Sequence, residues 1–227
     1  MVAALVLLSG GMDSTVSLAW AKRIFAPVEA VTFSYFQRHA VREIRAACAV
    51  ATALGVPHRV VGIEGLAQRG NALTDAAIPV EEAAAGGLPS TWVPARNAVF
   101  LAQAAALAAP RGVFDLVIGV SQADYSGYPD CRQPFLAAME TALSSALDAS
   151  GNGDGPQVRI HAPLLLRSKA ATVRLAASLG VLQLLGATWT CYEGRERGPC
   201  ETCPACRLRA RGFTEAGLPD PACAGLV

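Results

Sequence analysis

Charge is scarce in this chain. Only 16% of its 227 residues are charged, and 19 basic residues nearly balance 18 acidic ones, for a net charge of +1. That balance gives no electrostatic footprint for nucleic acid, so direct nucleic-acid binding is not expected. No apolar run is long enough to span a bilayer, which argues against a membrane protein. The N-terminus has no basic n-region and enters an apolar segment at once, so it does not read as a signal peptide and a cytoplasmic location is expected. Hydrophobic residues make up 52%. That is too many for a disordered chain and enough for one large α/β domain around a buried sheet.

Strand-like and helix-like segments alternate. Strands are predicted at residues 2–8, 29–35, 59–63, 114–120 and 158–162, and helices at 15–24, 41–54, 98–109, 135–149 and 169–179. Gly55 with Pro57, then Pro110, then Gly180 supply stop signals. Repeated β-then-α order implies a doubly wound parallel sheet with ligands at the strand C-terminal ends. Residues 65–94 form a long loop rich in Ala, Gly and Pro, and from about Ala187 the pattern turns loop-like and rich in cysteine. The expected division is a nucleotide-binding domain over 1–186 and a four-cysteine region over 187–227.

The first strand runs into Ser9-Gly10-Gly11-Met12-Asp13-Ser14, and a helix follows directly. A strand, a glycine turn and a helix N-terminus build an anion site, because free backbone N–H groups and the positive end of the helix dipole face one point. Gly10 and Gly11 allow close backbone approach, and Ser9 and Ser14 add hydroxyls. Asp13 would repel a phosphate unless Mg²⁺ lies between them. As an ordinary strand–turn–helix, the same residues would make Asp13 a helix cap. No lysine sits where a GxxxxGK[ST] loop requires one.

Seven cysteines are present, and Cys191, Cys200, Cys203 and Cys206 crowd together in the tail. Two consecutive CxxC steps after Cys191 bring four thiols to one point, a tetrahedral set for structural Zn²⁺. An iron–sulfur cluster takes the same ligands, but no other redox motif accompanies them.

Five segments together resemble the 7-cyano-7-deazaguanine synthase (QueC) family of the ATP pyrophosphatase superfamily. They are Ser9 to Ser14, Gln37-Arg38-His39, Val93-Pro94-Ala95-Arg96-Asn97, the run from Asp124 to Arg132, and Thr190-Cys191-Tyr192 with the cysteine tail. The resemblance implies an adenine-nucleotide α-hydrolase-like fold. It implies a homodimeric ligase that uses ATP and Mg²⁺ to convert 7-carboxy-7-deazaguanine and ammonia to the nitrile, through an adenylate and an amide, in queuosine biosynthesis. It places ATP on Ser9, Gly10, Gly11, Met12, Asp13 and Ser14. It makes Asp13, His39, Arg96 and Lys169 candidate catalytic residues. It places the deazapurine on Asp124, Tyr125, Ser126, Gly127, Tyr128, Asp130 and Arg132, and zinc on the four cysteines. An aspartate of the run is expected to read the guanine-like edge and a tyrosine to stack on the base.

The chain departs from the family pattern in two segments. Asp-Tyr-Gly-Gln-Arg-His becomes Ser34-Tyr35-Phe36-Gln37-Arg38-His39, and Asn, Phe and Gly of the Pro-Asn-Thr-Phe-Val-Pro-Gly-Arg-Asn run become Ser90, Trp92 and Ala95. Phe36 could then occupy space used by the amine or the amide. A paralogue that adenylates the acid and passes it to another amine, such as a protein N-terminus, is the alternative. Two further readings are a zinc-knuckle binding module on a degenerate ATPase fold and a thiolation enzyme that uses Cys131.

Overall fold

The computed structural model describes residues 2–66, 70–81, 87–122, 128–194 and 198–222. Its strands are β1 (Ala4–Leu7), β2 (Val28–Ser34), β3 (His58–Gly62), β4 (Asp115–Val117) and β5 (Arg159–His161). Its longer helices are α1 (Met12–Ile24), α2 (Ala40–Leu54), α3 (Arg96–Ala108), α4 (Gln133–Leu147), α5 (Lys169–Ser178) and α6 (Pro204–Ala216). Among the described residues one sheet runs β3-β2-β1-β4-β5, every pairing parallel. Ala4 lies opposite both Val28 of β2 and Asp115 of β4.

The central strand shows why both faces are covered. Leu5 and Leu7 pack with the α3 and α4 side. Ala4, Val6 and Leu8 pack with the α1 and α2 side. This is the period-two alternation of a strand buried on both faces. The chain winds outward from β1 through β2 to β3, then returns to β4 on the other side of β1. The C-terminal ends of β1 and β4 therefore flank the crevice where such sheets bind ligands.

The expected strands and helices are present, with shifted ends. Helix α3 starts at Arg96, two residues before its predicted start, because a distant residue caps it. Asp130 Oδ2 accepts the backbone N–H of Asn97 at 3.0 Å, across 33 residues of sequence.

The tail is the main correction. In place of a loop, residues 204–216 form a thirteen-residue helix. Pro204 occupies its first turn and Gly217 closes it in the left-handed conformation. Helix α6 packs along α5. Its Phe213 joins Met12 and Val16 of α1 and Val173 of α5 in one apolar cluster.

Arg209 of α6 fastens this corner. It donates to both carboxylate oxygens of Asp220, at 2.6 and 2.8 Å. Its remaining donors reach Thr188 Oγ1, Thr190 Oγ1 and the Leu185 carbonyl oxygen. Burial alone would raise the Asp220 carboxyl, but the Arg209 hydrogen bonds and the Ala222 N–H outweigh it and hold it below its ordinary value. A depressed carboxyl stabilises the fold above its ordinary pKa of about 3.9, and that contribution is lost as pH falls through the lower folded value. Asp220→Asn is expected to cost about 3 kcal/mol at neutral pH, because it leaves a buried guanidinium half-paired. In urea titrations the gap between the two proteins should narrow as pH drops below about 4. A gap that does not change with pH would contradict this role.

Candidate active site

Gly11 starts α1 with extended dihedrals and no side-chain cap. The first-turn N–H groups are thus available to an anion. Ser14 Oγ donates to the Gly11 carbonyl at 3.0 Å and lies 3.0 Å from Ser9 Oγ, which also accepts the Gly11 N–H. These bonds give the loop its shape. Gly10 also has a task within the fold. Its φ is +81°, and a Cβ there would stand 2.3 Å from the Glu43 carbonyl oxygen and 2.7 Å from the Ala47 nitrogen. Gly10 therefore lets α2 close on the loop, and it does not line the cavity.

That cavity, of about 820 Å³, opens at the ends of β1 and β4. Asp13 and Lys169 stand on its wall. Lys169 Nζ reaches Asp13 Oδ1 and Oδ2 at 2.9 and 2.7 Å. As a first-turn lysine it could have been solvated; instead it is buried at 8% exposure. It is one of only two lysines in the chain, with Lys22. Ser168 caps α5 through Ala171 N and so fixes where Lys169 emerges. Gly212 of α6 makes room for the lysine stem: a Cβ at 212 would lie 2.4 Å from Lys169 Cγ.

The far part of the cavity is aromatic and carries Arg96. Arg96 Nη1 donates to Tyr35 Oη at 3.2 Å. Its guanidinium lies 5.9 Å from the centroid of the Tyr128 ring. Tyr128 Oη is 2.7 Å from Thr91 Oγ1. Phe33 and Phe100 stack at 5.0 Å, and Tyr35 packs against Phe100 at 5.5 Å.

His39 is buried, lines the cavity and faces Glu43, with Nε2 3.4 Å from Glu43 Oε1. Its Nδ1 is buried and has no hydrogen-bond partner among the described residues. Gln37 donates to Glu43 Oε2 at 2.9 Å and accepts the Tyr35 N–H at 2.8 Å. Burial would raise the Glu43 carboxyl; His39, the Gln37 bond and Arg96 outweigh it, so it sits below its ordinary value. Glu43 was not singled out from the sequence, although its i+4 spacing from His39 was the available signal.

The candidates from the 124–132 run divide. Tyr128 lines the cavity. Asp130 is buried and spends Oδ2 on Asn97, and its carbonyl accepts the Asn97 side chain. Arg132 is exposed and precedes α4. Asp124, Tyr125, Ser126 and Gly127 lie outside the described residues. Burial pushes the Cys131 thiol up to about 11. A thiol held protonated is a poor sulfur relay, which weakens the thiolation reading.

Sγ atoms of Cys191, Cys200, Cys203 and Cys206 all lie within 4.8 Å of one another, and all four residues are buried. Tetrahedral thiolates around zinc stand about 3.8 Å apart, so modest contraction would close the set on a metal. Cys191 Sγ accepts the N–H groups of Glu193 and Cys200, at 3.4 and 3.2 Å. Cys203 caps α6 and Cys206 lies in its first turn, so a metal here would tie that helix to the chain at Cys191.

The model of the family described as queuosine biosynthesis protein QueC matches residues 3–217. This chain belongs to the QueC family. It is 51% identical over 223 residues to the 7-cyano-7-deazaguanine synthase of Chromobacterium violaceum, covering 96% of this chain and 92% of that protein. It is 48% identical over 221 residues to the 7-cyano-7-deazaguanine synthase of Laribacter hongkongensis, covering 96% and 93%. The fold is similar to a 4-thiouridine synthetase solved with RNA and bound ATP, with a TM-score of 0.51 at 19% identity, over 95% of this chain and 50% of that one.

Positions where the chain departs from the QueC pattern can now be placed. Phe36 has φ +64° and is 65% exposed, so it keeps the backbone of a glycine and turns its ring to solvent. Ala95 likewise has φ +57°. Ser90 Oγ binds the backbone at Pro79 and Glu81. None of Ser34, Phe36, Ser90 and Ala95 lines the cavity. The idea that Phe36 fills the amine or amide space is thereby corrected, because its left-handed backbone aims it outward.

Gly212→Ala tests the seat of Lys169. The added methyl should cost about 1–3 kcal/mol through overpacking. By displacing Lys169 it should lower turnover about 10- to 100-fold. A variant with unchanged melting temperature and rate would show that Lys169 has slack.

Proposed function

We propose that this protein is a 7-cyano-7-deazaguanine synthase of queuosine biosynthesis, a carbon–nitrogen ligase that spends ATP to turn 7-carboxy-7-deazaguanine and ammonia into the nitrile. One observation carries the reading. A single cavity joins an uncapped helix N-terminus, with Asp13 and Lys169, to an aromatic chamber with Arg96. Relatives with that name match nearly the whole chain.

In this reading the triphosphate of ATP lies on residues 9–14, held by first-turn N–H groups and the Ser9 and Ser14 hydroxyls. Asp13 offers the hard oxygen donor that Mg²⁺ prefers, and Lys169 offers a cation beside it. Mg²⁺ would shield the phosphate charge as pyrophosphate leaves. The carboxylate oxygen attacks the α-phosphorus, giving an acyl adenylate and releasing pyrophosphate. Ammonia displaces AMP and leaves the amide. The amide oxygen then attacks the α-phosphorus of a second ATP and releases a second pyrophosphate; loss of AMP and of the two N–H protons yields the nitrile. His39, with Glu43 behind it, is placed to accept protons from nitrogen. Arg96 and Tyr128 face the deazapurine in this reading.

Structural zinc at the four cysteines, a homodimer, a cytoplasmic location and the domain division at residue 187 belong to this proposal. Among the described residues no helix is long and apolar enough to cross a membrane. Departures from the family pattern lie off the cavity wall and give no support to a redirected second half-reaction or to a binding module.

Mass spectrometry of the protein with ATP, Mg²⁺, 7-carboxy-7-deazaguanine and ammonium tests the proposal. The nitrile should form with two AMP per product, and Asp13→Ala should abolish it while the fold persists. Product that stops at the amide, or an adenylate that waits for another amine, would refute the full synthase.

A further inference from the structure

Arg96 is charged, yet the described residues give it no carboxylate partner. Its hydrogen-bond partner there is a phenol, Tyr35 Oη at 3.2 Å. Glu43, the acid close enough to feel its field, has its two oxygens turned to His39 and Gln37. A guanidinium has five donors, so most of those on Arg96 remain for something else. Tyr35 accepts from Arg96 and so keeps its own O–H proton to give. Burial, largest of the influences on that phenol, holds it above its ordinary value, and it stays a neutral donor. Both side chains line the cavity.

The donors of this corner converge where a flat ring could lie. The Tyr128 ring stands beside the guanidinium, and Phe100 walls the Tyr35 side. Phosphate is served elsewhere, by the loop at residues 9–14 and the Asp13–Lys169 pair. Glu43 also lowers the net positive charge around Arg96. A single negative charge on a planar group therefore suits this corner better than a triphosphate does.

Building on the functional reading above, we propose that Arg96 and the Tyr35 hydroxyl form the receptor for the substrate's carboxylate, and that this pair makes the site prefer the acid to its neutral carboxamide. Arg96 supplies a charge-assisted bond that the amide nitrogen cannot accept. Tyr35 sets the guanidinium plane and adds a second donor. Tyr35 is thus a specificity residue contributed by the end of β2, and it lies in the stretch where the chain departs from its family on either side.

The test is calorimetric, with a non-hydrolysable ATP analogue, 7-carboxy-7-deazaguanine and 7-carboxamido-7-deazaguanine as separate probes. The native protein should bind the acid about tenfold or more tightly than the carboxamide. Arg96→Gln should abolish that preference and leave affinity for the ATP analogue unchanged, which also shows that the variant is folded. Tyr35→Phe, which keeps the ring, should weaken the acid about fivefold and the carboxamide less. An Arg96→Gln variant that still prefers the acid overturns the proposal. So does one that loses the ATP analogue while it keeps the acid, since Arg96 would then serve the phosphates. If the native protein binds the ATP analogue but neither deazapurine, the functional reading itself falls and takes this receptor with it.

Discussion

The ion pair between Lys169 and Asp13 is the contact on which the rest of the site depends. It joins the first turn of α1, where the phosphate loop ends, to the first residue of α5, which enters from the opposite end of the chain. A lysine buried this far needs a partner, and a carboxylate in a phosphate site needs a cation. Each requirement answers the other. The lysine stem in turn depends on Gly212, because only a residue without Cβ leaves room for it against α6. Cys203 is the N-cap of helix α6 and Cys206 lies in its first turn, and Arg209 locks its middle to Asp220 and to the turn at Leu185. The cysteine cluster is far from the loop in sequence, yet a metal bound there would tie down the helix that seats Lys169.

This arrangement divides the cavity by chemistry. Near α1 the donors are backbone N–H groups, hydroxyls and one lysine, suited to a large, multiply charged anion. Near α3 they are a guanidinium and phenols set among aromatic rings, suited to a flat substrate with one charge. His39 and Glu43 lie on the same cavity wall. The phosphate end follows β1, and the aromatic end gathers Tyr35 after β2, Arg96 of α3 and Tyr128 after β4; the doubly wound order brings them together.

Local signals carried most of the fold. An apolar run, a glycine turn and a helix are neighbours in sequence, so β1, the loop and α1 were legible. So was the cysteine cluster, because spacing alone brings the thiols together. Contacts made across the chain were not. The Asp130 cap on α3 and the Gly212 berth for Lys169 arise only when distant segments meet. Gly10 was legible as a glycine that must be there, but its close packing on the backbone of α2 was not. Helix α6 carries ordinary start and stop signals at Pro204 and Gly217, interleaved with the cysteine spacing. Phe36 misled for a related reason. Its identity suggests a filled pocket, whereas its positive φ, inherited from a glycine position, turns it to solvent.

The central claim is that the tail and the phosphate loop are one mechanical unit. Hydrogen–deuterium exchange of the metal-loaded protein, before and after chelation, tests it most directly. The account predicts that protection falls together in residues 204–216, in 169–178 and in 9–15. Loss confined to 204–216, with 169–178 and the loop unchanged, would contradict it.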